Sequence, residues 1–178
     1  MQADIQEILF SEEEIAAKTR ELGARISRDY AGLNPLLICV LKGASIFMSE
    51  LVKRLTIPCE LDFMAVSSYG ASTQSSGVVR IMKDLDASVE GRHVLVVEDV
   101  IDSGLTLSYL LDILDRRNAA SLKVASLLDK PTRRKLDLTP DYYGFTIPDL
   151  FVVGYGLDYA ERYRNLPYVA VLRPEVYA

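Results

Sequence analysis

Several residue types that build common catalytic and metal sites are scarce in this sequence. It has one histidine, His93, and two cysteines, Cys39 and Cys59, with no CxxC or Cys/His spacing. A zinc site and a histidine-based mechanism are therefore not expected; His93 is predicted to be structural and the cysteines to be buried thiols. No apolar run reaches the ~18 to 20 residues that a membrane-spanning helix needs, so no membrane partner is expected.

The overall composition is that of a globular chain. Of its 178 residues, 49% are hydrophobic and 25% are charged, which fits one domain over residues 1–178, without a linker. The net charge of -5 argues against non-specific binding to nucleic acid. The first fifteen residues are acidic and lack a secretory signal pattern, so the expected location is the cytoplasm.

Helical and extended patterns alternate along the chain. A helix is predicted from the capping-box pair Ser11 and Glu14 to Gly32, another over 44–55 with Ile46 facing inward, and a third over 105–117. Extended segments are predicted at 35–41, 59–69, 78–85, 93–97, 121–129, 141–147, 150–156 and 168–172. Several of these are apolar throughout, which favours an α/β fold with a mostly parallel central sheet and helices on both faces. Segments 42–43, 98–106 and 129–134 each follow a strand, so they are expected to meet beyond one edge of the sheet.

The stretch VLVVEDVIDSGLT, residues 94–106, ends in a turn of small residues at the start of a predicted helix. Free backbone N–H groups at a helix N-terminus, a close approach at Gly104 and the hydroxyls of Ser103 and Thr106 suit a phosphate. A plain capped turn explains the same pattern without a ligand. A P-loop is excluded because no GxxxxGK[ST] occurs, and Gly154-Tyr155-Gly156 lacks the third glycine of a dinucleotide site.

Two adjacent carboxylates, Glu98 and Asp99, precede this turn, and Asp102 begins it. Ionised carboxylates accept hydrogen bonds, so the pair suits the two hydroxyls of a ribose or a hydrated Mg²⁺. A solvated acidic turn is the other interpretation of the pair alone. The combination of a buried strand, three carboxylates and a small-residue turn favours a sugar-phosphate site.

This combination resembles the phosphoribosyl-pyrophosphate motif of the type I phosphoribosyltransferases, and the similarity is closest to the branch that acts on hypoxanthine and guanine. VLKGA at 40–44 is similar to the pyrophosphate loop of that family, and SSYGASTQSSG at 67–77 to its mobile lid. LLDKP at 127–131 and FVVGYGLDYAERYRNLPYV at 151–169 are similar to its purine-binding elements. The resemblance implies the fold of that family with a small hood of terminal segments, a lid around 68–79 and a purine-binding hood including 151–169.

The resemblance also implies a Mg²⁺-dependent transfer from 5-phosphoribosyl 1-pyrophosphate to a 6-oxopurine base, by a homodimer or homotetramer. Glu98 and Asp99 would hold the ribose, directly or through Mg²⁺. Asp102, Ser103, Gly104, Leu105 and Thr106 would cradle the 5′-phosphate. Lys42, Gly43 and Arg164 would contact the pyrophosphate, and the peptide bond before Lys42 can be cis in this family. Many relatives carry Lys or Asn where this chain has Leu105, so a side-chain contribution at that position is missing.

On the base side, the resemblance implies that Asp102 moves a proton at purine N7 and that Lys130 donates to O6. Phe151 would stack on the purine and the backbone of Val152 would contact its edge. Asp158, counted with the purine-binding residues, would hold a second Mg²⁺ on the pyrophosphate through water. Ser68 and Tyr69 would begin a catalytic lid that excludes water.

Two other functions remain open at the level of sequence. An RNA-binding regulator with the same fold should show a basic surface and lack the purine elements, whereas this chain is acidic and contains Lys130 within LLDKP. A donor-binding fold acting only as a structural partner would leave Asp102 and the lid without a role.

Overall fold

The computed structural model describes residues 1–68 and 79–177. In chain order the elements are β1 (Ile5–Phe10), α1 (Glu12–Asp29), β2 (Leu36–Leu41), α2 (Ala44–Val52), β3 (Glu60–Ser68), β4 (Val79–Lys83), β5 (His93–Ile101), α3 (Leu105–Arg116), β6 (Ser121–Asp129), β7 (Tyr142–Thr146), β8 (Val152–Val153), β9 (Val169–Leu172) and α4 (Pro174–Tyr177). Short 3-10 turns lie at Gln2–Asp4 and Pro131–Arg133.

A six-stranded sheet with the order β4-β3-β2-β5-β6-β7 forms the centre of the fold. Its neighbouring strands run parallel except for β4, which pairs antiparallel with β3. The predicted mostly parallel sheet is confirmed. Strands β2 and β5 are apolar over most of their length because helices cover both faces of the sheet, which leaves neither face of these strands to water.

The two faces of the sheet are covered by different helices. Helices α1 and α2 pack with Leu37, Cys39, Leu95 and Val97 on one face. Helix α3 packs with the alternate residues of the same strands on the other face. Side chains alternate across a strand, so consecutive apolar residues supply both cores.

Helix α1 begins with the capping box that the sequence predicts. The Ser11 hydroxyl accepts from the Glu14 N–H at 3.3 Å, and the Glu14 carboxylate accepts from the Ser11 N–H at 2.8 Å. The prediction for α2 was partly wrong. The helix ends at Val52 and not at residue 55. Ile46, predicted to face inward, is 40% exposed because it lies on the outer side of this short helix.

A second, three-stranded antiparallel sheet has the order β1-β9-β8 and joins the two ends of the chain. It is the small hood of terminal segments that the resemblance implies. Strand β1 was missed, since its burial depends on a partner strand more than 150 residues away. The extended segment predicted at 150–156 is shorter, because the chain reverses at Gly154, where φ is +93°, and Gly154 pairs with Leu157.

The single histidine and the two cysteines do not form a metal site with one another in the described residues. Nδ1 of His93 lies 2.8 Å from the Ser121 hydroxyl at the start of β5. Cys39 is buried, and burial with the nearby charges of Glu98 and Asp99 raises the pKa of its thiol to about 12. Cys59 is only partly buried, so the prediction of two buried thiols holds for Cys39 alone. In the described part of the chain, no helix is long and apolar enough to cross a membrane.

Candidate functional site

The small-residue turn of the opening motif forms a pocket at the N-terminus of α3. Gly104 is the N-terminal cap residue of the helix, with φ at +82°, and has no side chain to cap the helix end; the Ser103 hydroxyl accepts weakly from the Leu105 N–H at 3.4 Å. The pocket has a volume of about 220 Å³ and is lined by Glu98, Asp102, Ser103, Gly104 and Thr106 among others. Free helix N–H groups facing a pocket are suited to an anion. We call segment 102–106 the phosphate loop.

The acidic pair lies within strand β5, which runs to Ile101, whereas the sequence predicted that the strand ends at residue 97. Consecutive strand residues point to opposite faces, so the two carboxylates separate. Glu98 lines the pocket of the phosphate loop. Asp99 lies on the α2 side, next to Gly43, and accepts from the Val100 N–H at 2.7 Å. The pair therefore borders the site from two sides of the sheet edge.

Both acidic side chains retain some solvent contact but are surrounded by protein. Burial, and then the charge of Asp99, raises the pKa of Glu98 well above its usual range. Burial also raises the pKa of Asp99 to about 6, with a further contribution from Asp158, although the N–H of Val100 and the charge of Arg164 oppose it. Carboxylates with raised pKa values attract a cation or a hydroxyl donor.

The raised pKa of Asp99 predicts a stability cost at neutral pH. Between pH 3.8 and about 6, Asp99 is mostly protonated in the folded protein but mostly ionised in the unfolded chain. The contribution of Asp99 to the free energy of unfolding therefore falls as the pH rises through that range. We expect Asp99→Asn to raise the free energy of unfolding by roughly 1 to 2 kcal/mol at pH 7.5, a value discounted for partial exposure, and by little near pH 4.

Urea unfolding at both pH values measures this effect. Asp112→Asn, at an exposed position of α3, is the control and should change neither value. An Asp99→Asn variant with the same stability difference at both pH values would show that the carboxyl is not held with a raised pKa.

The loop after β2 brings Lys42 and Gly43 to the same edge. The peptide bond between Leu41 and Lys42 is cis, as the resemblance implies. A Cβ on Gly43 would lie 1.7 Å from Oδ2 of Asp99, so only glycine fits beside this carboxylate. Lys42 forms an exposed ion pair with Glu161, with Nζ 3.2 Å from the carboxylate, and such pairs contribute little.

Arg164 and Asp158 lie across from this loop. Nη2 of Arg164 is 2.8 Å from Oδ1 of Asp158, and Nη1 donates to the Gly156 carbonyl at 2.8 Å. Glu161, which the sequence reasoning missed, is near both cations: its carboxylate is also 3.4 Å from Arg164. Its side chain is exposed, and nothing in its local sequence distinguishes it from an ordinary surface residue.

A second pocket, of about 530 Å³, adjoins the first at Val100 and Asp102. We call it the base pocket. It brings together the predicted purine-binding residues Lys130, Phe151, Val152 and Asp158. Residues that are distant in sequence therefore converge on Asp102, which lines both pockets and, unlike Val100, carries a charged side chain.

Lys130 is buried and presents its ammonium group in the base pocket. Its Nζ donates to the Leu150 carbonyl at 2.8 Å. Burial lowers its pKa, while the charges of Asp102 and Asp149 oppose that shift. The group offers only donors, so it suits a carbonyl oxygen of a ligand.

Asp102 is flanked by a cation that the sequence did not reveal. Nε of Arg133 lies 2.9 Å from Oδ1 of Asp102, and Nη1 of Arg133 lies 3.1 Å from Asp149. Among the described residues, this buried Oδ1 has no hydrogen bond of good geometry. The side chain of Asp102 is 45% exposed, so its carboxylate is accessible to a ligand that enters between the pockets.

Phe151 lines the base pocket but its ring is already in contact with aromatic neighbours. Tyr177 stacks on it with a centroid distance of 4.7 Å and an interplanar angle of 24°, and Tyr159 meets it edge-on at 5.7 Å. Tyr177 was missed because it lies beyond the last motif. Val152 is in β8, where it pairs with Val171, and it is buried while still lining the base pocket.

Some predicted site residues are not placed in either pocket. Asp99, Lys42, Gly43 and Arg164 border the site from the α2 side. Leu105 belongs to the phosphate loop and begins α3, but it does not line the pocket. Ser68 is the last residue of β3, and Tyr69 with most of the predicted lid lies outside the described residues.

The described residues contain no group of three or more His, Cys, Asp or Glu side chains that could hold a metal ion. Glu98, Asp99 and Asp158 nevertheless supply hard oxygen ligands, and the charge of Asp158 acts on Asp99. Mg²⁺ is usually held by one or two carboxylates together with waters and substrate phosphates. These side chains therefore fit a hydrated Mg²⁺ that is completed by a ligand.

Comparison with known proteins agrees with this geometry. A family model of the phosphoribosyl transferase domain matches residues 6–160. The chain is 59% identical to the hypoxanthine-guanine phosphoribosyltransferase of Bacillus subtilis, over 99% of this chain and 98% of that protein. A crystal structure of a hypoxanthine phosphoribosyltransferase from Staphylococcus aureus superposes with a TM-score of 0.97 at 48% identity, covering 100% of this chain and 97% of that one.

Longer relatives also occur. The chain is 58% identical to the bifunctional protein TilS/HprT of Listeria monocytogenes over all of its 178 residues, but it spans only 28% of that protein. The family match, the identity over the full chain and the shared fold agree with one another and with the two joined pockets. This chain therefore belongs to the phosphoribosyltransferase family, within the group of hypoxanthine-guanine phosphoribosyltransferases.

Proposed function

We propose that this protein transfers the phosphoribosyl group of 5-phosphoribosyl 1-pyrophosphate to hypoxanthine and guanine, giving IMP and GMP with release of pyrophosphate. The reaction serves purine salvage. The observation that carries the proposal is the junction of the two pockets at Asp102, with an anion-binding helix end on one side and the buried ammonium group of Lys130 on the other.

The donor occupies the pocket of the phosphate loop. Its 5′-phosphate is held by the backbone N–H groups and hydroxyls of residues 102–106, and Leu105 adds only backbone contacts. Glu98 and Asp99 accept from the ribose hydroxyls. The pyrophosphate extends toward Lys42, Gly43 and Arg164, whose charges favour the departing anion.

The base occupies the base pocket. Lys130 donates to O6 of the purine, the backbone of Val152 contacts the ring edge, and Phe151 provides a stacking surface after Tyr177 moves aside. Adenine carries an amine donor where a 6-oxopurine has an acceptor, so Lys130 disfavours it.

Bond changes in this reaction occur at C1′ of the ribose. The bond from C1′ to the pyrophosphate oxygen breaks, a bond to a purine nitrogen forms, and the purine loses a proton. Asp102 lies where the pockets meet, so we assign it the role of general acid/base at purine N7. Ser68 and Tyr69 begin the proposed lid over 68–79, which excludes water from C1′.

Mg²⁺ held by Glu98 and Asp99 with the donor, and a second Mg²⁺ held by Asp158 on the pyrophosphate, would neutralise charge on the departing group. Glu98 and Asp99 hold the first ion directly or through water. We further propose that residues 1–178 act as a single domain with a purine-binding hood including 151–169, as a homodimer or homotetramer. The free thiols Cys39 and Cys59 are compatible with the reducing cytoplasm, the proposed location.

A steady-state comparison of hypoxanthine, guanine, xanthine and adenine, each with the donor and Mg²⁺, tests the proposal. Nucleotide should form from hypoxanthine and guanine and far more slowly from adenine. Formation of no nucleotide from either 6-oxopurine would contradict the proposed function.

The contact between Gly43 and Asp99 gives a separate prediction. The backbone of Gly43 has φ -57° and ψ -45°, which alanine adopts freely, so Gly43→Ala tests only the collision of its Cβ with the carboxylate. A displacement of about 1 Å at a reacting centre can cost 10²-fold, so we expect kcat/KM for the donor to fall by roughly 10- to 10²-fold.

The control is the same change in a protein that lacks the carboxylate. In an Asp99→Ala background, Gly43→Ala should lower kcat/KM by less than about threefold, since the two effects are then not additive. Equal losses in both backgrounds would show that Gly43 does not act through Asp99.

A further inference from the structure

One arginine in the loop after β6 makes an unusual set of contacts for a residue that borders neither pocket. The side chain of Arg134 is 10% exposed and forms an ion pair with the equally buried Asp129. Its guanidinium also donates to the Leu138 carbonyl, to the Asp102 carbonyl at 3.1 Å and to the Ile101 carbonyl at 3.4 Å. Each of these acceptors is a backbone or carboxylate oxygen, so the charge of Arg134 is compensated within the protein.

Arg134 also contacts the phosphate loop at its glycine. A Cβ built on Gly104 would lie 3.0 Å from Cδ of Arg134. The side chain therefore contacts residues 101, 102 and 104 without lining either pocket. These contacts fix the backbone from which the carboxylate of Asp102 and the first N–H groups of α3 extend.

The same arginine connects this loop to Lys130. Asp129, its ion-pair partner, directly precedes Lys130 in the chain. Two backbone hydrogen bonds run alongside: the Lys130 N–H donates to the Ile101 carbonyl at 3.0 Å, and the Lys135 N–H donates to the Ser103 carbonyl at 3.0 Å. The segments that border the two pockets are thus held together by one buried guanidinium and two backbone bonds.

The chemistry of the contacts requires a guanidinium. Acceptors on four different residues surround Arg134, and a planar group with five donors reaches them together, whereas the ammonium group of lysine is a single point with three donors. An apolar side chain would fill the space but leave the Asp129 carboxylate buried without a partner.

We propose that Arg134, held by Asp129, is a positioning residue that sets the phosphate loop and Lys130 at the separation required for one ligand to occupy both pockets. This inference rests on the proposed function, since it concerns binding at the same site. It predicts that loss of Arg134 weakens binding of the sugar-phosphate and of the base together.

The test compares Arg134→Lys and Arg134→Ala with the unaltered protein. The control is Arg117→Lys, which changes another arginine with two hydrogen bonds of 2.7 Å to a carboxylate, that of Asp84, at the far end of α3. Circular dichroism fixes a temperature at which each variant is folded. IMP binding is measured there by calorimetry, and KM and kcat are measured for the donor and for hypoxanthine.

We expect Arg134→Lys to weaken IMP binding and to raise both KM values by about tenfold, with a smaller change in kcat, and Arg134→Ala to have a larger effect. Added guanidinium ion at millimolar concentration should restore part of the binding lost in Arg134→Ala. Arg117→Lys should leave IMP binding and both KM values unchanged.

A lower melting temperature with unaltered IMP affinity and KM values in Arg134→Lys would overturn the inference, because Arg134 would then only stabilise the fold. If Arg134→Ala does not fold, Arg134→Lys decides the question by itself. Failure of the unaltered protein to bind IMP or to use any 6-oxopurine would instead contradict the proposed function.

Discussion

Asp102→Asn is expected to lower kcat by about 10²- to 10⁴-fold, the range typical of a general acid/base. Asparagine keeps the size of the side chain and leaves the backbone carbonyl that accepts from Arg134 unchanged. It removes the ability to take up and return a proton, together with the charge that pairs with Arg133. Donor affinity, measured by calorimetry, should therefore change by less than about threefold.

The control for this variant is Asp149→Asn. Asp149 also pairs with Arg133 and lines the base pocket, so it matches Asp102 in charge and in its ionic partner. It does not line the pocket of the phosphate loop, and its change should have a small effect on kcat. Unchanged turnover in Asp102→Asn, or an equal loss in both variants, would remove the assignment of Asp102 as the proton-transfer group.

Lys130→Gln is expected to change which purine the protein accepts. A hydrogen bond from a charged donor in a buried site contributes about 1.5 to 3 kcal/mol, so kcat/KM for hypoxanthine should fall by roughly 10- to 10²-fold. Glutamine presents an acceptor as well as a donor, which removes the penalty against the adenine amine. We therefore expect kcat/KM for adenine to rise, so the ratio of kcat/KM for hypoxanthine to that for adenine should fall further than kcat/KM for hypoxanthine does.

Lys135→Gln is the matched control, since it removes an exposed lysine of the same loop. It should leave the preference between the two purines unchanged. The KM for the donor should be unchanged in both lysine variants. An unaltered hypoxanthine-to-adenine ratio in Lys130→Gln would show that another group reads position 6 of the base.

Much of the fold could be predicted because its signals are local. The capping box of Ser11 and Glu14 and the apolar runs of β2, β5 and β6 gave the alternation of helices and strands. The errors lie where a distant partner decides. Strand β1 pairs with β9 at the other end of the chain, and β5 extends through Glu98 and Asp99 because β6 continues to pair with it as far as Asp129.

The chemical types present at the site could also be predicted, but their arrangement could not. The sequence shows Glu98 and Asp99 as neighbours, whereas the strand directs them to opposite sides of the sheet edge. Arg133, Glu161 and Tyr177 contact predicted residues without carrying a motif of their own. The partners of Asp102, Lys42 and Phe151 therefore became visible only in three dimensions.

Local sequence was enough to predict the order of helices and strands, the small-residue turn at the start of α3 and the side chains available for chemistry. These depend on residues a few positions apart, whose spacing fixes backbone conformation and capping. Three features became visible only in the folded chain: two pockets share Asp102, Gly43 must lack a side chain beside Asp99, and Arg134 joins two loops. Those features depend on close packing between segments distant in the chain, which no local pattern encodes.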